Sequence, residues 1–553
     1  MRLPWLRALF ALLVPQFSAA CGDPSSDSNP ILHFEEGRLV DGRERPVVLR
    51  GAAFANGALA TPFDPGDTEA FQSSTDYARL AELGMNFAQF YLNARLFERD
   101  EAPYVYSEEG FAFVDRNLGW AREHGVYLML TLAVPAGGEQ LACGGDTLWD
   151  EPALADRMTA LWEALATRYA NDPSVAGYRI LRTPLPSGDA SQWRDLAAET
   201  VARIRAVDRE HLIVVDRADG ARCAPDDALG ESFVGSQIDD PNLMNAFEFR
   251  WPYEFTNQLI DEIGFGEQGP YPNDQRLLID WNESEFQHAS WDSRPGETAL
   301  WLKPDETEWT EKRFWYTVTD PDFQFAFPDL QSRNNRGTVY FDDLVIREFD
   351  EDGEFVRTVV DYDVETSGPW YLWQPPEENG TGVVGISSDS HRGNASLTLS
   401  NTSTDAALSA SMLAFRLELG HTYEVTSWIK GEDVSDSAES MLRLDFWTGP
   451  GTLTYWNRQG LSRQLEPYLA WSQEHRAPLF VSEFGTSRPT FDGDHGGLAW
   501  TADALDLMLE GGLHFSYFAY RDGYFGLVPG DPNSTDEPEN RALAELFAGK
   551  LRR

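Results

Sequence analysis

The stretch Pro478-Leu479-Phe480-Val481-Ser482-Glu483-Phe484-Gly485 decides the fold. A short apolar run ending in a carboxylate and a glycine reads as a buried strand that delivers Glu483 at its C-terminal end. Seven other runs have the same character: Val47–Phe54, Met85–Asn93, Tyr127–Pro135, Val175–Thr183, His211–Arg217, Met244–Trp251 and His514–Arg521. Between them the apolar period lengthens to that of helices. Ala153–Ala170 places Leu154, Met158, Leu161, Leu165 and Tyr169 on one stripe, and Asp189 is set to cap a helix carrying Trp193, Leu196, Val201 and Ile204. Strand alternating with helix eight times predicts an α/β fold, a (β/α)8 TIM barrel. Ahead of it, Ile31–Leu39 and Pro46–Leu49 flank Asp41-Gly42 and predict a hairpin closing the barrel floor.

The rhythm breaks after the sixth strand. From about Tyr271 to about Pro450, short alternating segments such as Gly337–Glu348 and Thr422–Lys430 predict an inserted β-sandwich between strands six and seven. The chain then divides into residues 31–270 (the first six barrel strands), 271–450 (the insert) and 451–553 (strands seven and eight and a terminal helix). Residues 1–30 stand apart as a leader and tether. Arg2 and Arg7 precede an apolar stretch, Ala8 to Phe17, and small residues lead to Cys21, a pattern resembling a bacterial lipoprotein signal peptide. It predicts export, with lipidation at Cys21 and a surface or outer-membrane location, or simple cleavage and secretion. Cys143 and Cys223 are read either as a disulfide or as two buried thiols.

The chain of 553 residues carries 90 acidic and 44 basic side chains, a net charge of −46 with no single acidic run behind it. Such a surplus argues against nucleic acid and anionic membranes as partners, because phosphate would be repelled. It suits an uncharged polymer as ligand, and a saline medium that screens the surface. Aromatic residues make up 13% of the chain, with 18 Trp, material for stacking on sugar rings or for core packing. No cofactor and no metal is predicted, and a monomer is expected. Asp350-Glu351-Asp352-Gly353 reads as a hairpin turn or a weak Ca²⁺ loop.

Four stretches carry a family resemblance: Gly37–Gly51, Leu80–Asn86, Arg168–Tyr178 and Val481-Ser482-Glu483-Phe484-Gly485. In this order and spacing they resemble glycoside hydrolase family 5, the cellulase-type barrels that cleave β-linked polysaccharides. The resemblance implies a retaining mechanism with two carboxyl groups about 5–5.5 Å apart at the ends of strands four and seven. Glu483 matches the nucleophile. The proton-donor position is occupied by Thr183, whose hydroxyl is not acidic near neutral pH. Arg182 stands where the family has Asn, Gln89 where it has Arg, and Thr131 and Ala133 where it has Asn and His. Glu248 replaces a His, Arg250 a Tyr, and Phe518 the Trp that usually forms the sugar platform.

Two readings follow: a carbohydrate-binding pseudoenzyme, or a retaining hydrolase in which Glu248 serves as surrogate acid. An ion pair of Arg182 with Glu248 or Glu483 would close the site and depress the glutamate pKa. Gln89, Tyr91, Asn93, Arg182, Arg250, Trp251, Trp500, Tyr517 and Phe518 are the candidate substrate-binding residues, with Tyr253, Tyr520, Tyr524 and His495 nearby. Within the insert, Leu419–Val434 and Gly337–Glu348 resemble strands of jelly-roll carbohydrate-binding modules in reversed order, which implies a permuted or split copy. Trp370 and Trp373 are its expected exposed rings.

Overall fold

The structure is a computed structural model that describes residues 31–60, 63–66, 71–138, 147–187, 189–218, 232–260, 266–279, 286–290, 293–364, 371–373, 382–404, 407–530 and 539–552. The leader with Cys21, both Cys143 and Cys223, and Trp370 lie outside the described residues.

Eight parallel strands close a barrel. They are β1 (Arg50–Phe54), β2 (Phe87–Asn93), β3 (Tyr127–Val134), β4 (Val175–Arg179), β5 (Leu212–Asp216), β6 (Leu243–Phe249), β7 (Leu479–Phe484) and β8 (His514–Tyr517). Each lies within the run predicted for it or overshoots by one residue, and β6 pairs with β7 to complete the ring. The strands are buried on both faces because helices cover the outside and side chains fill the inside. The helix Pro152–Tyr169 buries the predicted stripe of Leu154, Met158, Leu161, Leu165 and Tyr169. The Asp189 side chain caps the helix Ala190–Val207 by accepting from the Ser191 N–H at 2.8 Å.

The barrel floor differs from expectation in its turn. The two-stranded ladder pairs His33–Glu35 with Arg38–Val40 and reverses at Glu36–Gly37, whose φ values are 47° and 77°. Asp41-Gly42 instead starts a second tight turn, closed where Val40 bridges Pro46. Leu32, Leu39 and Leu49 then plug the barrel bottom against Phe87, Met129 and Phe480.

Between β6 and β7 the chain builds two antiparallel sheets of seven and six strands. Gly337–Phe349 and Thr422–Glu432, the segments with module-like sequence, are adjacent antiparallel strands of the six-stranded sheet. Phe314, Phe341, Ile346, Val425 and Leu444 are among the residues that fill the space between the sheets. Asp350–Gly353 is the turn of a hairpin, with the Gly353 N–H on the Asp350 carbonyl at 3.0 Å. Trp315 is 50% exposed on an outer face, whereas Trp428 stacks on His391 at 3.6 Å. A ribbon of Asn273–Leu278 and Thr454–Trp456 joins the entry and exit of the insert. Phe327, Leu413 and Ala414 of the sandwich meet Trp251, Pro252 and Leu277, so the insert sits beside the C-terminal end of β6.

Gly51 lets β1 approach β2 closely. A Cβ there would lie 1.8 Å from the Phe87 carbonyl oxygen. Gly51→Ala is therefore expected to cost at least about 1–3 kcal/mol in urea denaturation; an unchanged midpoint would contradict this packing.

Candidate active site

β7 ends at the top of the barrel, and Glu483 there is fully buried. Its Oε1 accepts hydrogen bonds from the Tyr91 hydroxyl and from Arg182 Nε, both at 2.5 Å. Oε2 accepts from Arg182 Nη2 and from Arg250 Nη2, both at 3.0 Å. Arg179 Nη1 lies 3.7 Å from Oε1. Both oxygens are thus engaged, one guanidinium gripping the carboxylate with two parallel bonds. Burial pushes this carboxyl's pKa up, but Arg182, Arg250 and Arg179 outweigh it and hold the group well below the usual glutamate range.

The arginines are themselves anchored. Arg179, fully buried at the end of β4, grips Asp216 at the end of β5 through Nε at 2.7 Å and through Nη2, which also reaches Ser482 Oγ at 3.1 Å. Asp216 further accepts the Thr183 N–H at 2.9 Å, and Thr183 Oγ1 donates to Glu248 Oε1 at 2.5 Å. Thr183 adopts φ 44°, a left-handed conformation that a β-branched residue rarely takes. The bonds to Asp216 and Glu248 hold it there.

Aromatic rings cover the cations. Arg250 lies 4.8 Å from the centre of the Phe518 ring and 4.9 Å from that of Phe525. Arg182 lies 5.6 Å from the Tyr91 ring and 5.7 Å from Phe518. At 6% exposure Phe518 is a lid on the guanidiniums and offers little surface to a sugar.

The open space lies to one side of Glu483. A cavity of about 520 Å³ is lined by Thr183, Asp216, Arg217, Glu248, Arg250, Trp251, Tyr253 and Tyr468, among others, and Glu483 is not in its wall. Glu248 sits opposite Glu483 in the strand register and keeps 25% of its side chain exposed. Its pKa is raised, first by burial and then by the Glu483 charge, with Arg182, Arg250 and the Thr183 hydroxyl opposing. The site therefore holds two carboxyl groups pushed in opposite directions.

Of the sequence-predicted residues, Tyr91, Arg182, Arg250, Thr183, Glu248 and Glu483 come together, and Trp251 and Tyr253 line the cavity. Gln89 lies behind them, bonded to Tyr91 and to the Ser482 carbonyl at 3.2 Å. Asn93 is spent on the Ala58 carbonyl at 2.9 Å. Trp500 is fully buried with its indole N–H on the Trp251 carbonyl, and Tyr517 is fully buried with its hydroxyl on the Phe525 carbonyl. Tyr520 bonds Asp76, and Tyr524 is exposed outside the cavity lining. His495 stands 3.6 Å from Glu267. Sequence reasoning missed Arg179, Asp216, Arg217 and Tyr468. The available signal was a charged residue, Arg179, inside an otherwise apolar strand.

Residues 61–310 match the family model described as Cellulase (glycosyl hydrolase family 5). A β-xylosidase of Phanerodontia chrysosporium is 33% identical over 156 residues, 27% of this chain and 32% of its own length. Endoglucanase C of Acetivibrio thermocellus is 25% identical over 190 residues, 34% of this chain and 53% of its own length. The chain thus spans about half or less of these curated relatives. Among solved structures, endoglucanase Cel5A of Thermotoga maritima superimposes with a TM-score of 0.45 at 14% identity, covering 90% of this chain and 96% of that one.

Replacing Glu483 with Gln leaves the partly buried Arg182 and Arg250 against a neutral amide. The expected loss in chemical denaturation is about 3–5 kcal/mol at neutral pH. Because folding holds this carboxyl below its ordinary value of 4.5, the stabilisation is complete above that pH and disappears as acid protonates the group. The gap between wild type and Glu483→Gln should therefore narrow below pH 4.5. Glu248 has the opposite sign: its raised pKa costs stability as pH rises, so Glu248→Gln should gain stability at neutral pH relative to acid. A pH-independent gap for either variant would contradict the charge states assigned here.

Proposed function

Starting from a chain that carries a glycosyl hydrolase family 5 region, we propose a β-glycan-directed barrel that binds saccharide in the cavity beside Glu248 without cleaving it by the two-carboxylate route. The observation that carries this reading is the enclosure of Glu483, whose two oxygens are both taken by Tyr91, Arg182 and Arg250 and whose surface is closed to solvent. A nucleophile must present a free lone pair to the anomeric carbon. Freeing one here would strip a buried guanidinium of its counter-charge. Thr183 adds a second obstacle, because loss of general acid catalysis costs on the order of 10²–10⁴-fold.

The ligand would lie against Trp251 and Tyr253, whose rings give an apolar footing, with the Thr183 hydroxyl and Glu248 for hydrogen bonding. Export with surface attachment through Cys21, and action as a monomer on extracellular polysaccharide, belong to the same proposal. One feature favours the second reading, an active retaining hydrolase with Glu483 as nucleophile. Glu248 stands in the cavity wall with a raised pKa, the property a surrogate acid requires.

Hydrolysis of aryl β-glycosides and of β-glucan, mannan and xylan should stay at background for wild type and Glu483→Gln alike. Calorimetry with the matching oligosaccharides should show binding that Trp251→Ala weakens by about 0.5–1.5 kcal/mol. Turnover by wild type that disappears in folded Glu483→Gln and Glu248→Gln would establish the hydrolase instead.

A further inference from the structure

Arg217 lines the cavity and takes no part in the contacts around Glu483. It follows β5 at the barrel mouth, half-buried in the cavity wall. Its Nε donates to Ser232 Oγ at 2.7 Å and its Nη1 to the Tyr468 hydroxyl at 3.0 Å. Both partners are neutral, and among the described residues no carboxylate stands within ion-pair distance of it. In a chain with 90 acidic side chains for 44 basic ones, an arginine inside a cavity with no counter-charge is conspicuous. The neighbouring cation points the same way. Arg250 also lines the cavity, and its Nη1 is buried with no hydrogen-bond partner among the described residues.

Summed over the cavity and its floor, four guanidiniums (Arg179, Arg182, Arg217 and Arg250) face three carboxyl groups (Asp216, Glu248 and Glu483). Asp216 and Glu483 are consumed by Arg179, Arg182 and Arg250. Arg217 remains. Among the described residues, the groups gathered here thus carry one guanidinium more than carboxyl groups, in a molecule whose net charge is −46.

We propose that this cavity selects an anionic saccharide, one bearing a carboxylate or sulfate on a β-linked backbone, and that Arg217 receives the anion. The inference rests on the saccharide-binding reading above and deepens it. Guanidinium suits an oxyanion because it presents planar, permanently charged donors. The two hydroxyl partners fix the orientation of Arg217 without neutralising it, so little order is lost when an anion arrives. Trp251 and Tyr253 would carry the sugar ring, and Thr183 its hydroxyls. The body of the protein repels an anionic chain at long range, and salt weakens that repulsion more than the contact inside the cavity.

Three ligands of one backbone decide the matter: cellotetraose, its 6-carboxylated form and its 6-sulfated form, titrated by calorimetry in concentrated salt. At least one charged form is expected to bind about tenfold or more tightly than cellotetraose, and the stronger of the two identifies the anion. Arg217→Gln should remove that margin, read as the ratio of charged to uncharged affinity on the same variant, and Arg217→Lys should restore part of it. Equal affinity for all three on wild type overturns the anion preference and leaves saccharide binding standing. Binding of none overturns both. Should Arg217→Gln fail to fold, the wild-type comparison still decides the anion preference, and a reduced margin in Arg217→Lys decides the residue.

Discussion

The two-pronged grip of Arg182 on Glu483 is the contact around which the top of the barrel is arranged. A carboxylate with no exposed surface cannot stay ionised without donors on both oxygens, and Tyr91, Arg182 and Arg250 supply them. Three guanidiniums brought to one place in turn need their own counter-charge and cover. Asp216 takes Arg179, and the rings of Phe518 and Phe525 lie over Arg250. Removing any member exposes another to an unpaired burial. The network is therefore cooperative.

That arrangement fixes Glu483 among arginines at the top of the barrel. A glycosidase works with two carboxyl groups of different proton affinity facing a shared space. Here the pair survives in altered form: Glu483 is driven toward permanent charge, and Glu248 toward the neutral acid. Arg250 contacts both, at 3.0 Å from Glu483 and 3.9 Å from Glu248. The opening lies toward β5 and β6, where Arg217, Glu248, Trp251 and Tyr253 line it, next to the inserted sandwich.

The barrel was legible because a parallel strand buried on both faces must be apolar along its length, and eight such runs are visible in order. The helix Pro152–Tyr169 was legible from its stripe, and Asp189 from its place ahead of one. The sandwich was legible from the loss of that rhythm. The floor turn was misplaced at Asp41-Gly42 because Glu36-Gly37 supplies the positive φ values the hairpin needs, and Glu is not a residue that signals them. Trp500 and Tyr517 were read as ligand-facing because strand ends and loops place side chains near the mouth, yet inward and outward directions cannot be told apart from spacing alone.

By itself the sequence determined the barrel, the insertion point and the carboxylate at the end of β7, since apolar periodicity and the types of residue in a motif are local properties. It also determined that Thr183 cannot be the acid, because that follows from a hydroxyl's chemistry. Only tertiary structure decided that Arg179, Arg182 and Arg250 converge on Glu483, that Phe518 caps them, and that Arg217 is left facing a cavity. These contacts join residues more than three hundred positions apart in the chain, Arg182 and Glu483 among them. Charge pairing depends on distance and burial, which no run of neighbouring residues encodes.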